Sequence, residues 1–364
     1  MPLQAVPLPA HVTDLVAAPR AWMVRAGRQG VALGLFLDRN RVAVGWGSVG
    51  DLSAVASRDS IRAVVAPRYA NASAGKIGAV TGCLLKIRST IAVEDAVMTY
   101  DSSSRTYSVG LVQQPYAYEP NTEFGHWRGV TWVAELARDD LGAAAKHRLG
   151  SLLTVFEIEA AAWEEIKEQL IVGARPAGVT SSGTDPVSAQ VPELAGLGAG
   201  EEEVIDPVAE ALELAHEYRK DAISALGPNE MEDFVACVLR GMGYRARVTP
   251  RGPDRGRDIE ASPDGLGLEE PRIRVEVKHR QAKMGAQEVR AFLGALRPGD
   301  KGLYVSTGGF SREAMYEAER SQVPASLVDL DRLAELYVEF YEVLKPEDRE
   351  LVPLRRVYWP EGRG

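Results

Sequence analysis

The stretch RVEVKHR, residues 274–280, has the alternation of a β-strand with one apolar and one charged face. Side chains of a strand point alternately to opposite sides. The apolar face carries Ile273, Val275 and Val277. The charged face carries Arg274, Glu276 and Lys278. Two residues of a strand span about 7 Å, so a carboxylate and an ammonium lie side by side. This face is either a solvated strand surface or half of a metal site.

An acidic residue upstream favours the metal site. Asp258 lies eighteen residues before Glu276, in PDRGRDIEASPDG (253–265), where Gly and Pro bend the chain. A hairpin of that length places Asp258 beside Glu276 and Lys278. Two carboxylates and the carbonyl of Val277 make an all-oxygen ligand set, which suits Mg²⁺. The lysine can orient or deprotonate an attacking water and stabilise charge on a phosphate.

The alternative is an ordinary charged strand. Glu-x-Lys is common by chance, and charged strand faces are usually only solvated. Asp258 in its glycine-rich bend is the feature that favours a site over a surface.

The composition predicts a two-domain, cytoplasmic protein. The chain has 364 residues and a net charge of −9, and two domains are the default for this length. Two distant cysteines fit a reducing compartment. We expect no signal peptide and no membrane span.

The segment 173–206 is rich in Gly, Pro, Ser and Ala and predicts a flexible linker. Before it, short β-rich runs predict a small β-barrel over 20–133, followed by a helical stretch over 139–172. A hairpin is expected from AVMTY and TYSVGLV. After the linker, strands alternate with helices, which indicates an α/β layer. Asn229 is the predicted N-cap of the helix 230–243.

The C-terminal part contains a series of consecutive sequence blocks: PNEMEDFVACVLRGMGY, TPRGPDRGRDIEA, RIRVEVKHRQ, QEVRAFLGAL, KGLYVSTGGFSREAMYEAE and ASLVDLDRLAEL. In this order the blocks resemble the catalytic domain of Mrr-like restriction endonucleases, a branch of the PD-(D/E)XK nuclease superfamily. The resemblance covers about residues 227–340 and implies an α/β core that cuts DNA with Mg²⁺, Mn²⁺ being a substitute. It implies that Asp258 and Glu276 bind the metal, that Lys278 is catalytic and that Glu232 is a supporting acid.

Other residues near this site have two interpretations each. Gln287 either contacts phosphate or is a plain surface glutamine. His279 either transfers protons or is packed, and its place on the Val277 face favours packing. An arginine cluster upstream either binds the DNA backbone or is solvated surface, and we take Arg251 and Arg255 as its DNA-contacting members. The cluster comprises Arg240, Arg245, Arg247, Arg251, Arg255 and Arg257.

The N-terminal part carries most of the tryptophans. Aromatics of a small barrel are mostly core, but a base lifted out of the DNA stack also needs aromatic walls. The segment 20–135 resembles PUA-like barrels of the EVE kind, which read modified bases. The predicted pocket residues are Trp22, Trp46, Asp51, Ser53, Tyr116 and Tyr118, with Arg128 as a further candidate. Trp46 is the main candidate, because flanking glycines leave room for a base.

The predicted organisation is an α+β chain of two domains. Its parts are a PUA-like recognition domain (1–135), a helical extension (136–172), the linker (173–206), a connecting helix (207–226), the endonuclease domain (227–345) and a tail (346–364). The predicted function is modification-dependent restriction of double-stranded DNA by a homodimer. The alternatives are a non-cleaving DNA-binding protein on a nuclease scaffold and a repair nuclease for branched or damaged DNA.

Overall fold

The computed structural model describes residues 9–27, 30–151, 153–174, 207–249, 258–264, 266 and 268–358. The chain divides into two compact units, Met1–Glu210 and Ala211–Gly364. The predicted linker lies outside the described residues except for its first two positions, which end a helix.

The first unit is a mixed α+β structure. Its strands in the described residues are β1 (Ala21–Val24), β2 (Arg41–Val44), β3 (Ala96–Asp101), β4 (Thr106–Tyr118), β5 (His126–Ala137) and β6 (Val155–Glu157). Its helices are α1 (Ala10–Val16), α2 (Leu33–Asp38), α3 (Arg58–Arg68), α4 (Ala74–Leu85), α5 (Ala143–Leu149) and α6 (Ala160–Ala174). The stretch 139–172, predicted to be helical, therefore also contains the strand β6.

The sheet of the first unit has the order β2-β5-β4-β3-β1-β6. The predicted hairpin is confirmed, since β3 and β4 pair antiparallel from Ala96–Leu111 to Asp101–Thr106. Strand β1 pairs parallel to β3 and antiparallel to β6. Within the described residues the sheet is open, with β2 and β6 at its edges, so the predicted closed barrel is not confirmed.

Two apolar clusters fill the first unit. One holds Phe36, Val42, Leu52 and Ile61 with the helices α2 to α4. The other joins α1, α5 and α6 to β1, β3 and β4.

Arg128 of β5 is buried beside the first of these clusters. Its guanidinium donates to the carbonyls of Ile87 (2.6 Å) and Arg88 (3.0 Å) in the π-helical turn Lys86–Thr90. Burial, with a smaller contribution from the charge of the nearby Arg88, lowers the pKa of Arg128 to about 10. Two of its donor atoms, Nε and Nη2, are thus used within the fold, and its role in a base pocket stays a prediction.

The second unit is the predicted α/β layer. Its strands in the described residues are β7 (Arg245–Val248), β8 (Ile259–Ser262), β9 (Arg272–Lys278), β10 (Asp300–Ser306) and β11 (Ala325–Asp329). Its helices are α7 (Pro207–Ser224, which spans the division), α8 (Pro228–Gly241), α9 (Ala286–Gly294), α10 (Arg312–Glu319), α11 (Leu330–Phe340) and α12 (Pro346–Arg349).

The sheet of the second unit has the order β11-β10-β9-β8-β7, with β9 at its centre. The pairs β7–β8 and β8–β9 are antiparallel, and β9–β10 and β10–β11 are parallel. Helices α8 and α11 pack against the apolar face that holds Val275 and Val277. Helices α9 and α10 pack beside Tyr304 of β10 on the other face. The charged face of β9 is thus left partly open for a site.

Helix α8 begins two residues earlier than the sequence predicts. Gly227 is the N-cap, Pro228 takes the first helical position, and Glu230 accepts a hydrogen bond from the Gly227 amide at 2.7 Å. A proline suits that position because its fixed φ is already helical. The predicted N-cap at Asn229 is therefore wrong. Gly243 follows the helix with φ +97°, a conformation that favours glycine.

Each unit contains one buried cysteine that forms no disulfide, Cys83 in α4 and Cys237 in α8. Burial raises the pKa of the Cys237 thiol to about 12. In the parts of the chain that the structure covers, none of the helices has the length and apolar character needed to cross a bilayer.

Candidate active site

The carboxylate of Asp258 is fixed against β9. Asp258 directly precedes β8, and its amide donates to the carbonyl of Val275 at 3.1 Å. The amide of Val277 in turn donates to Asp258 Oδ2 at 2.6 Å. The pairing of Ile259 with Val275, continued by one residue, sets Asp258 opposite Glu276. One carboxylate oxygen is therefore held by the backbone of β9.

Glu276 and Lys278 form an ion pair on the charged face of β9. Lys278 Nζ lies 2.9 Å from Glu276 Oε1. The Lys278 side chain is 40% exposed and that of Glu276 is 18% exposed. The structure thus brings together the three residues that the strand alternation and the upstream bend predicted, and the ammonium is open to solvent.

Tyr304 of β10 lies beside Glu276. It pairs with Glu276 in the parallel β9–β10 ladder and is 1% exposed. Burial raises the pKa of Tyr304 far above its usual value, and the charge of Glu276 acts in the same direction. The sequence alone does not point to this residue, because only the parallel ladder shows that β10 lies next to β9.

Helix α9 begins close to the site. Glu288 accepts hydrogen bonds from the Gly285 amide (2.6 Å) and from Arg280 (2.5 Å). These two bonds, with a smaller contribution from the charge of Lys278, lower the pKa of Glu288. Gln287 is its exposed neighbour on α9, and its predicted phosphate contact stays a prediction.

The remaining predicted residues are placed less directly. Glu232 is partly buried on α8, the helix that packs behind β8 and β9. His279 is half-buried, with Nδ1 3.2 Å from Thr307 Oγ1, which fits the packed interpretation. Arg251 and Arg255 lie outside the described residues.

Two other arginines of the predicted cluster are paired with acids. Arg240 contacts Asp348 at 2.6 Å, and Arg247 contacts Glu260 at 3.3 Å. Their charge is therefore partly neutralised within the fold.

The donor set fits a hard divalent cation. Asp258 and Glu276 offer carboxylate oxygens from adjoining strands, and Mg²⁺ prefers one or two carboxylates with water completing its shell. Among the described residues no group of three or more His, Cys, Asp or Glu side chains gathers as a metal cage. Two carboxylates beside a lysine are thus suited to a metal shared with water and phosphate rather than to a closed structural metal site.

Of the predicted base-pocket residues, the two tryptophans are buried. Trp22 is 2% exposed and donates from Nε1 to Asp95 Oδ2 at 2.9 Å. Trp46 is 8% exposed, has φ +63°, and belongs to the first apolar cluster. A Cβ on Gly47 would lie 2.1 Å from the carbonyl oxygen of Thr122. This glycine makes room for a neighbouring loop of the chain.

The other four surround His126 or lie at the surface. Tyr116 Oη lies 2.9 Å from His126 Nδ1, and Tyr118 Oη donates to the Gly47 carbonyl at 2.9 Å. Asp51 and Ser53 are exposed and bonded to each other, Ser53 Oγ donating to Asp51 Oδ1 at 2.7 Å. A role of these residues in binding a base stays a prediction.

Residues 223–337 match the Mrr_cat family model, described as a restriction endonuclease. The C-terminal unit is therefore similar to restriction endonuclease domains, and Asp258, Glu276 and Lys278 all lie within the matched range. Residues 28–159 match a second model, described as a domain of unknown function, DUF8426. This match does not bear on the predicted PUA-like reader. No curated protein matches the chain.

The chain also has weak similarity to three solved structures. A protein of unknown function, AF1548, is 15% identical over 35% of this chain and 72% of its own, with a TM-score of 0.25. The MspJI restriction endonuclease in complex with a 27-mer oligonucleotide is 14% identical over 90% and 77%, with a TM-score of 0.28. The DNA modification-dependent restriction endonuclease AspBHI is 15% identical over 74% and 69%, with a TM-score of 0.30. Similarities at this level say nothing of the site.

Proposed function

We propose that the chain is a Mg²⁺-dependent endonuclease that hydrolyses DNA phosphodiesters and acts on modified DNA. The observation that carries the proposal is the position of Asp258 next to the Glu276–Lys278 pair, within a unit that matches a restriction endonuclease family. The biological role would be restriction of foreign DNA in the cytoplasm.

A metal held by Asp258, Glu276 and the carbonyl of Val277 would lower the pKa of a bound water and polarise a phosphate oxygen. The Val277 amide fixes Asp258 by its bond to Oδ2, so this carboxylate needs no rearrangement before the reaction. Lys278 holds Glu276 by an ion pair, and Tyr304 lies beside Glu276 in the ladder. Such preorganisation of charged groups is a main source of catalysis.

Lys278 is the group that would assist the attack directly. Its ammonium is exposed enough to reach a phosphate or a water. It stabilises negative charge that develops on the phosphate, and it orients the attacking water. Glu232 would support the site from α8, and Gln287, Arg251 and Arg255 would contact the DNA backbone. Hydrolysis would leave 5′-phosphate and 3′-hydroxyl ends.

The N-terminal unit would make cleavage depend on modified bases in the DNA. This part of the proposal rests on a separate N-terminal unit with several aromatic residues near its surface, which can supply a wall for a base. Cutting both strands needs two sites, and a homodimer would supply them.

Digestion of matched plasmids tests the proposal. Plasmids that are unmodified, methylated, hydroxymethylated or phosphorothioated are incubated with the full chain and Mg²⁺, with a chelator in a parallel series. We expect cleavage of at least one modified plasmid, none in chelator, and a loss of at least about a hundredfold in Asp258→Asn, Glu276→Gln and Lys278→Met. Substrate binding should persist in the three variants.

Two outcomes contradict the proposal in different ways. Tight DNA binding without cleavage of any plasmid supports the non-cleaving alternative. A branched duplex added as a further substrate tests the repair alternative, which is supported if the branched DNA is cut and all plasmids stay intact.

A further inference from the structure

Strands β4 and β5 of the first unit lose their register at two places, and a cavity lies at the second. Val112 pairs with Val130 and Tyr116 with Arg128, so three residues of β4 stand opposite the single residue Gly129. The cavity has a volume of about 480 Å³, within the range of small-molecule sites. Its lining includes Arg41, Gln113, Gln114, Trp127, Gly129 and Trp132.

Gly129 gives this cavity a floor without a side chain. A Cβ at Gly129 would lie 2.7 Å from the amide group of Gln114. The Gln114 side chain therefore occupies the space over the glycine. Both Gln113 and Gln114 are exposed, so their amide groups can rotate to meet a ligand.

Two buried donors border the cavity without an acceptor. Arg41 Nε and Trp127 Nε1 are inaccessible to solvent and have no hydrogen-bond partner among the described residues. The Arg41 guanidinium lies 5.4 Å from the centroid of the Trp127 ring, and its Nη1 contacts Glu119 at 2.6 Å. A buried donor that lacks an acceptor is unfavourable, and a ligand that brings acceptors would remove this deficit.

We infer that this cavity binds a nucleobase. The Trp127 ring offers a stacking surface, which bases of any sequence use. The two N–H donors require acceptors such as ring nitrogens and carbonyl oxygens, and the glutamine amides can pair with the edge of a base. An aliphatic ligand would leave the donors unpaired.

The rim charge fits a nucleotide. Arg39 lines the cavity, its side chain is 57% exposed, and it shares Glu119 with Arg41. Two cations against one carboxylate leave a positive surplus for a phosphate. The base can come from a free nucleotide or from an unpaired position in DNA. The DNA form of this inference rests on the proposed function, whereas the free-nucleotide form stands without it.

Binding measurements on the full chain in chelator test the inference, since chelation separates binding from cleavage. One arm titrates each deoxynucleoside monophosphate by calorimetry. The other compares a duplex that carries one unpaired base with the same duplex abasic at that position. If the nucleotides bind and the two duplexes bind equally, the ligand is a free nucleotide. If the duplex with the unpaired base binds more tightly than the abasic duplex, the ligand is a base in DNA.

Variants connect the binding to the cavity. Trp127→Ala should weaken base binding at least about tenfold, and Trp127→Phe should lose less because it keeps a ring. Gly129→Ala should weaken binding by a similar factor to Trp127→Ala, since the added methyl pushes the flexible Gln114 amide into the cavity. Tyr316→Ala removes an aromatic that is 62% exposed on the other unit and should change nothing.

The outcomes are decided on folded variants, checked by circular dichroism. The inference is overturned if no arm shows binding, or if Gly129→Ala and any folded Trp127 variant bind as the wild type does. If the protein binds bases but cuts no DNA, this inference is supported and the proposed function is contradicted. If it cuts DNA but binds no base, the proposed function is supported and this inference is contradicted.

Discussion

Glu276 has two neighbours in the site, the ammonium of Lys278 and its ladder partner Tyr304. The charged face of β9 predicted the first contact, because Lys278 follows Glu276 on the same strand. The second contact joins residues that are far apart in sequence. No local pattern indicates which strand will lie parallel to β9, so Tyr304 could be found only in the fold.

Tyr304→Phe should slow cleavage about tenfold and raise the Mg²⁺ concentration needed for half-maximal rate. A hydrogen bond to a charged group contributes about 1.5–3 kcal/mol, and the variant removes the Tyr304 hydroxyl, which can form one with the neighbouring Glu276. The matched control is Tyr337→Phe, which removes a buried hydroxyl bonded to the Val352 carbonyl at 2.8 Å. The control should lose stability but keep its cleavage rate. Equal rates for Tyr304→Phe and the wild type would remove Tyr304 from the site.

His126 should make the stability of the first unit depend on pH. Burial lowers its pKa, although the Trp46 carbonyl and the charge of Asp51 act in the opposite direction. The unfolded chain therefore binds this proton first as pH falls below about 6.5. As pH falls from that value to the lower pKa of the folded state, the free energy of unfolding decreases. Below the folded-state pKa, His126 causes no further change. The slope for one proton is at most about 1.4 kcal/mol per pH unit.

Urea denaturation followed by tryptophan fluorescence, at several pH values across this pH range, measures the slope. The variant His126→Gln should flatten it. The histidine interpretation fails if the variant and the wild type lose stability in parallel as pH falls.

The glycines beside Trp46 were correctly predicted to mark a close approach of another group, but the sequence did not show which group approaches. The structure contains this close approach. The approaching group is the backbone at Thr122 rather than a ligand. A glycine reports that space is needed and carries no information about what fills it.

At the scale of elements, long alternating strands were readable and short ones were not. The β3–β4 hairpin and the strand β9 follow directly from their patterns. Strand β6 has three residues, too few to show a period of two, so it was absorbed into a helical prediction. The apolar face of helix α8 predicted the helix correctly, but the predicted start was two residues too late. Asn229 is a common N-cap residue, whereas the helix uses Gly227 as N-cap and Pro228 as its first residue.

Helices α7 and α11 are joined by a buried lysine. Lys220 is fully buried and contacts Glu217 at 2.7 Å and Asp331 at 2.8 Å. Lys220→Ala should destabilise the second unit by about 3 kcal/mol, since it removes the buried ammonium that Glu217 and the partly exposed Asp331 share. The control Lys345→Ala removes an exposed lysine whose ion-pair distance is 3.9 Å and should cost less than about 1 kcal/mol. Guanidinium denaturation compares the two, and equal costs would contradict the buried pair.

At the scale of the whole molecule, the α/β layer of the second unit was predictable and the sheet closure of the first was not. Alternating strands and helices imply a layered α/β sheet through local pattern. A sheet closes into a barrel only if its two edge strands pair with each other. The edge strands here are β2 and β6, and they are too far apart in sequence for a local pattern to decide whether they pair. The open order β2-β5-β4-β3-β1-β6 is thus a tertiary result.

Two chains should be needed to cut both strands of a plasmid. We expect that wild-type protein mixed with excess Asp258→Asn accumulates nicked circles, because mixed dimers contain one competent site. Gel analysis of the nicked and linear fractions against the mixing ratio measures this. The control mixes wild type with bovine serum albumin at the same mass. If the variant changes the rate only as the albumin does, each chain works alone.

The two buried thiols give each unit its own probe of local opening. Alkylation requires an accessible thiolate, and Cys237 in the folded second unit is both enclosed and held protonated. Cys83 is the single thiol of the first unit and is likewise covered. Modification of either sulfur therefore proceeds through transient exposure of its surroundings. Timed alkylation of the natural chain, followed by peptide mapping, would give the opening free energy of each unit separately. The same measurement with DNA added would show which unit the DNA stabilises.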